Sequence, residues 1–238
     1  MVEPAALQRT AWGLASPAMR EVLGAVGRAL VTVGLLLLLF VAYQLWGTGI
    51  YQARAQNDLQ SQFEQAQREA GTTTTTTATT APTSTTTAPS DTTTTTLAPL
   101  AAPPEGDVVA RIGIPKIGID QFVVEGVNVD DLRKGPGHYP TTQMPGHEGN
   151  SAIAGHRTTY GAPFRNIDQL EPGDRIELRM PYGRFTYRVD RTKIVPPTET
   201  SVTDRVGHDQ LILSACHPLY SAAKRIVVFA RLAGAEPR

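Results

Sequence analysis

Residues 211–232, LILSACHPLYSAAKRIVVFARL, hold the only cysteine of the chain at the end of one apolar run and an arginine at the start of the next. Leu211, Ile212 and Leu213 predict a buried strand that ends near Cys216, Ile226 to Leu232 predict a second, and His217 to Lys224 predict the loop between them. Strict alternation puts Arg225, Val227, Phe229 and Arg231 on one face of the second strand and Ile226, Val228, Ala230 and Leu232 on the other. Lys224 points away from Arg225 on the same logic. A thiol at a strand end, facing a guanidinium across a short loop, suits a nucleophile beside a group that stabilises an anion.

A free thiol has a pKa near ~8.5 and needs a base or a cationic neighbour to act at neutral pH. Residues 150–164, NSAIAGHRTTYGAPF, supply the candidate. Ser151 to Ala154 predict a short strand, and Gly155 lets the backbone turn so that the His156 imidazole can point off its end. The remaining histidines compete with it. His138, in the stretch GPGHY, is a rival because such loops can fold over a site; His217 adjoins Cys216 but sequence neighbours at a strand end tend to point apart. His147 and His208 lie in polar or glycine-rich loops and are expected to be exposed. No His-x-x-x-His or Cys-x-x-Cys spacing suggests zinc.

These stretches resemble a known family. The Ala-Gly-His-Arg run at 154–157, the strand ending in Cys216 and the later Arg225 are similar to the His, Cys and Arg of the sortases, cysteine transpeptidases of Gram-positive cell surfaces. RIGIPKIGIDQFVVEG at 111–126, KGPGHYP at 134–140, residues 155–164 and Cys216-His217-Pro218 resemble the class E sortases of actinobacteria. The similarity covers roughly residues 107–232. It implies a mainly β fold, an eight-stranded barrel with short helices, with Cys216, His156 and Arg225 catalytic and no cofactor or metal. It further implies a surface-protein substrate with a C-terminal sorting signal of the Leu-Ala-x-Thr-Gly type, or Leu-Pro-x-Thr-Gly as in the commoner class. That signal would be cut between Thr and Gly and its acyl part passed to an amine of a cell-wall precursor. Tyr139, Tyr160, His138 and His217 are the expected groove or support residues, together with the loop Val195 to Asp209. One departure stands out: sortases usually carry Thr-Leu-x-Thr-Cys, and here the run is Ile212-Leu213-Ser214-Ala215-Cys216. An L,D-transpeptidase is the rival enzyme, although its Ser-His-Gly-Cys motif is absent. A non-catalytic tethered module is the rival of another kind, should Ala215 mark a degenerate site.

With 238 residues the chain can hold one domain of ordinary size plus appendages, and a formal net charge of zero gives no basic face for nucleic acid. One cysteine leaves no internal disulfide. Residues 1–28 form a leader with Arg9, Arg20 and Arg28, and residues 29–50, centred on Leu35 to Phe40, contain no charge and are long enough to cross a bilayer. Arginines before the span predict a cytoplasmic N-terminus and an extracellular remainder. A cleaved signal peptide is the alternative, weakened by the length of the apolar run. Residues 51–71, rich in helix formers with a thin stripe of Ala55, Leu59, Phe63, Ala66 and Ala70, predict a solvated helical stalk ended by Gly71. Residues 72–104, mostly Thr, Pro, Ala and Ser, predict a disordered tether, and 105–238 the folded domain. Within it, frequent Gly and Pro turns separate seven short strand-like runs. Short helices are expected at Asp130 to Lys134 and Pro163 to Gln169.

Overall fold

The computed structural model describes residues 17–43, 48–76 and 102–237. Residues 77–101, most of the expected tether, and most of the leader lie outside them.

Eight strands close a barrel: β1 (Val108–Ile114), β2 (Ile119–Glu125), β3 (Gly137–His138), β4 (Gly149–Ala154), β5 (Arg175–Met180), β6 (Gly183–Val195), β7 (Asp209–His217) and β8 (Lys224–Pro237). Around the barrel their order is β1-β2-β3-β4-β7-β8-β6-β5. β4 and β7 run parallel, with Ala154 opposite Ser214, while β7 and β8 run antiparallel with Cys216 opposite Arg225. Alternation fills the interior: Leu211, Leu213 and Ala215 of β7 meet Ile226, Val228 and Ala230 of β8 in the barrel core. The outward residues Ile212, Val227 and Phe229 form a second buried cluster with Ala152 and Val195. The faces of β8 are those that alternation assigns.

Seven of the strands coincide with or extend the seven apolar runs. The eighth, β3, has two residues and no pattern of its own; Gly137 and His138 are recruited by pairing with β2 on one side and β4 on the other. β7 also runs on through Cys216 to His217 because β8 supplies partners there. Of the two expected helices, α3 (Val129–Lys134) forms, capped by the Asn128 side chain accepting from the Asp130 and Asp131 N–H groups. The other contracts to a 3-10 turn at Ile167–Gln169.

α1 (Pro17–Ala42) contains the apolar helix Met19–Ala42, 24 residues long, which exceeds the roughly 20 needed to span a bilayer. It starts before Ala29 and ends before Ile50 because backbone hydrogen bonding, and not apolarity, sets helix limits; Arg20, Glu21 and Arg28 propagate it readily. α2 (Thr48–Thr76) replaces the solvated stalk. Gly71 does not stop it, a single glycine costing only about 1 kcal/mol in a helix interior. Its stripe is docked on the barrel: Leu59 and Phe63 are buried with Val108, Phe122 and Val124. The reason is the brevity of β3, which leaves the outer edge of β2 open. Gln56 closes it, its Oε1 accepting from Phe122 N–H at 2.7 Å and its Nε2 donating to Phe122 O at 3.0 Å. The Gln62 Oε1 accepts from Val108 N–H in the same manner.

Candidate active site

The parallel pair of β4 and β7 brings the two reactive groups to one end of the barrel. Gly155 N–H donates to Ser214 O, continuing the ladder one residue past Ala154, so His156 and Cys216 each emerge two residues beyond the paired Ala154 and Ser214. Cys216 is a free, half-buried thiol. Phe164, fully buried, packs so closely on Gly155 that a Cβ there would lie 2.5 Å from the ring, and Phe164 N–H donates to His156 O. The glycine is therefore required by close approach, and the histidine loop is pinned at both ends.

The His156 ring faces that of Tyr160 at 5.3 Å between centroids. Burial, and next the charge of Arg133, hold its imidazole below the ordinary histidine value. The neutral form is favoured at neutral pH. Arg225 is half-buried on the Cys216 face, and its Nη1 donates to Ala222 O at 3.0 Å and Lys224 O at 3.1 Å. These contacts park the guanidinium over the turn between β7 and β8. Lys224 pairs with His217 and is exposed.

On the same face opens a groove of about 380 Å³ lined by Tyr139, Ser214, Arg225, Val227 and residues of the loop after β6, among them Val195 and Val202. Its size suits a short peptide segment. Tyr139 places its hydroxyl 3.5 Å from that of Ser214. Tyr139 and residues between Val195 and Thr203 thus line this groove. His138 does not. It is fully buried, with Nδ1 2.8 Å from the Glu125 carboxylate and Nε2 3.0 Å from Gln143 O, so both ring nitrogens are used inside the protein. Tyr160 serves the histidine loop and does not line the groove. His147 and His208 are half-buried, not exposed, each with an Nε2 atom sequestered from solvent.

Arg157 is the functional residue that sequence reasoning passed over, although it stands in the quoted Ala-Gly-His-Arg run. Its side chain is 4% exposed and ion-pairs with Asp168 at 2.8 Å. It also donates to Arg165 O at 2.9 Å and, at 3.4 Å, to both Cys216 O and His217 Nδ1. One guanidinium thus ties the loop bearing His156 to the backbone of Cys216. The signal was a fork of donors next to the histidine; its partner Asp168, eleven residues on, gave none. Ala215 faces the core and is 4% exposed, so a hydroxyl at this position would sit inside the barrel and not in the groove. The hydroxyl on the groove side is that of Ser214.

The sortase domain family matches residues 112–233, from β1 into β8. The chain belongs to the sortase family. Among curated relatives it is similar to sortase D of Bacillus subtilis, 38% identical over 54% of this chain and 66% of that protein. It is also similar to sortase SrtE1 of Streptomyces coelicolor, 30% identical over 90% of this chain and 58% of that protein. The chain thus spans somewhat under two thirds of these relatives' lengths. Among solved structures, sortase E of Streptomyces avermitilis matches with a TM-score of 0.52 at 35% identity, over 56% of this chain and 92% of that one. The sortase is of the class E type, and its barrel is the one the resemblance implies.

Proposed function

We propose that this sortase is a membrane-anchored cysteine transpeptidase with Cys216 as nucleophile, His156 as acid and base and Arg225 as the anion-stabilising group. The observation that carries the reading is the register of three strands: Cys216 on β7 stands opposite Arg225 on β8, His156 follows the end of β4 that pairs with β7, and Arg225 lines a peptide-sized groove. The Cys216 thiol passes its proton to the neutral His156 as its sulfur attacks the threonine carbonyl of a C-terminal sorting signal of the Leu-Ala-x-Thr-Gly or Leu-Pro-x-Thr-Gly type. Arg225, swung from its loop carbonyls, stabilises the oxyanion. As the Thr–Gly bond breaks, His156 gives its proton to the departing glycine amine, leaving a thioacyl-enzyme and a neutral imidazole. An amine of a cell-wall precursor then attacks the thioester, His156 takes its proton, and the Cys216 sulfur leaves. A low histidine pKa supports this second half, in which the neutral imidazole is the working form. Tyr139 flanks the bound signal, whereas His217, paired with Lys224 and held by Arg157, supports the loop after β7 from the other face. The apolar helix Met19–Ala42 anchors the chain as a single pass, with the leader cytoplasmic and the barrel outside.

The full chain in detergent, beside Cys216→Ala, is incubated with a Leu-Ala-x-Thr-Gly peptide, its Pro counterpart and a glycine-based amine. Mass spectrometry of the wild type should show the ligated product and a thioacyl adduct on Cys216. An alkylatable Cys216 that forms neither with either peptide would overturn the proposed specificity, and an inert thiol would overturn the nucleophile.

A further inference from the structure

Behind His156, contacts converge from two helices that carry none of the catalytic side chains. Tyr160, Gly161 and Ala162 follow one another at φ 49°, 69° and 44°. Non-glycine residues hold this left-handed conformation only where their surroundings fix it. α2 supplies one such constraint. Gln52, 7% exposed, lies flush against Gly161, where a Cβ would come within 2.6 Å of its Oε1, and its Nε2 donates to Gln121 Oε1 at 3.2 Å. α3 supplies the other. The Arg133 guanidinium lies 5.7 Å from the Tyr160 ring centroid and is held by Asp130 at 2.9 Å. The two helices are joined, since Gln56 Nε2 donates to Lys134 O at 3.0 Å. His156 neighbours the same Tyr160 ring, 5.3 Å away between centroids.

We propose that the first turns of α2 and Arg133 of α3 form a brace for the catalytic histidine, with Gln52 and Arg133 as positioning residues acting on His156 through Gly161 and Tyr160. The inference rests on His156 as the acid–base group of a transpeptidase. It makes α2 part of the catalytic unit, so a barrel cut free at residue 102 would keep the triad and Arg133 but lose the half of the brace that Gln52 supplies.

The test uses the full chain in detergent with Arg133→Gln, Gln52→Ala and, on the exposed face of α2, Gln60→Ala as control. Three readouts are taken: kcat and KM for peptide transfer, the His156 imidazole proton resonance, and the rate of Cys216 alkylation by iodoacetamide. Arg133→Gln and Gln52→Ala should lower kcat about 10- to 100-fold with little change in KM, as misplacing an acid–base group does. They should also move the His156 resonance, while Gln60→Ala matches wild type in all three. Removing the Arg133 charge should in addition raise the pH at which that resonance titrates. Unchanged kcat and an unmoved resonance in both variants overturn the brace. If the wild type transfers no peptide, the transpeptidase reading fails by itself, and the resonance and alkylation rate still decide whether α2 and Arg133 set His156. A loss of thermal stability with an unmoved resonance would assign Gln52 and Arg133 to folding alone and also overturn the brace.

Discussion

Cys216 on β7 and Arg225 on β8 are direct cross-strand partners. In an antiparallel ladder such a pair has its Cβ atoms roughly 5 Å apart on the same face, whereas Lys224, paired with His217, falls on the other. Arg225→Ala should lower kcat by about 100- to 1000-fold, the usual cost of losing an oxyanion donor. Lys224→Ala should stay near wild type. Steady-state transfer assays on both variants check the assignment, and equal losses would mean that Arg225 acts only by holding the Ala222 and Lys224 carbonyls.

Arg157→Lys keeps the charge opposite Asp168 but has no fork to reach Arg165 O, Cys216 O and His217 together. Losing charge-assisted hydrogen bonds of a buried group costs roughly 2 kcal/mol. The variant should melt earlier and also transfer more slowly, because the His156 loop is no longer tied to the nucleophile's strand. Calorimetry and transfer kinetics on the same sample would show both losses; a stability loss with full kcat would confine Arg157 to folding.

Leu59 and Phe63 join α2 to the barrel through Val108, Phe122 and Val124. Phe63→Ala should destabilise by about 3–5 kcal/mol, the range for a buried aromatic, against near-zero for Glu64→Ala on the exposed side. Urea unfolding of the two variants checks this. Proteolysis should cut α2 first in Phe63→Ala, since undocking exposes its backbone before the barrel opens.

At the far end of β7, burial pushes the Asp209 carboxyl up to about 7, against hydrogen bonding from Tyr187 and Gly146, which lowers it. Its Oδ1 accepts from the Tyr187 hydroxyl at 3.0 Å, which in turn accepts from Gly146 N–H, while Oδ2 is buried without a partner. The folded state therefore binds a proton that the unfolded chain releases near its ordinary carboxylate value of about 4. The contribution is fully present below pH ~4 and is lost as pH rises through ~7. Asp209→Asn, which keeps the acceptor for Tyr187 and never charges, should melt like wild type below pH ~4 and several degrees above it at pH ~8. Identical melting curves at both values would show that Asp209 ionises freely in the folded protein.

The sequence by itself determined most of the strands and supplied the residues from which the chemistry is proposed. A lone cysteine at a strand end, Gly155 before His156 and Arg225 opening an alternating strand are local statements, each enforced by backbone geometry or side-chain period within a few residues. The apolar run of α1 and the faces of β8 are of the same kind. Tertiary structure decided what depends on distant partners. β3 exists only because Gly137 and His138 find β2 and β4 at once. His138 was legible as a loop histidine, but only the fold buries it against Glu125 and removes it from the groove. The stripe on α2 was legible as amphipathic, yet nothing local could say that the open edge of β2 would receive it, because the hydrogen bonds of Gln56 span 66 residues of chain. Arg157 shows the same limit from the catalytic side, its role fixed by a carbonyl that β7 brings from 59 residues away. Short-range sterics and periodicity can be read along a chain, whereas pairing across it is settled only when the barrel closes.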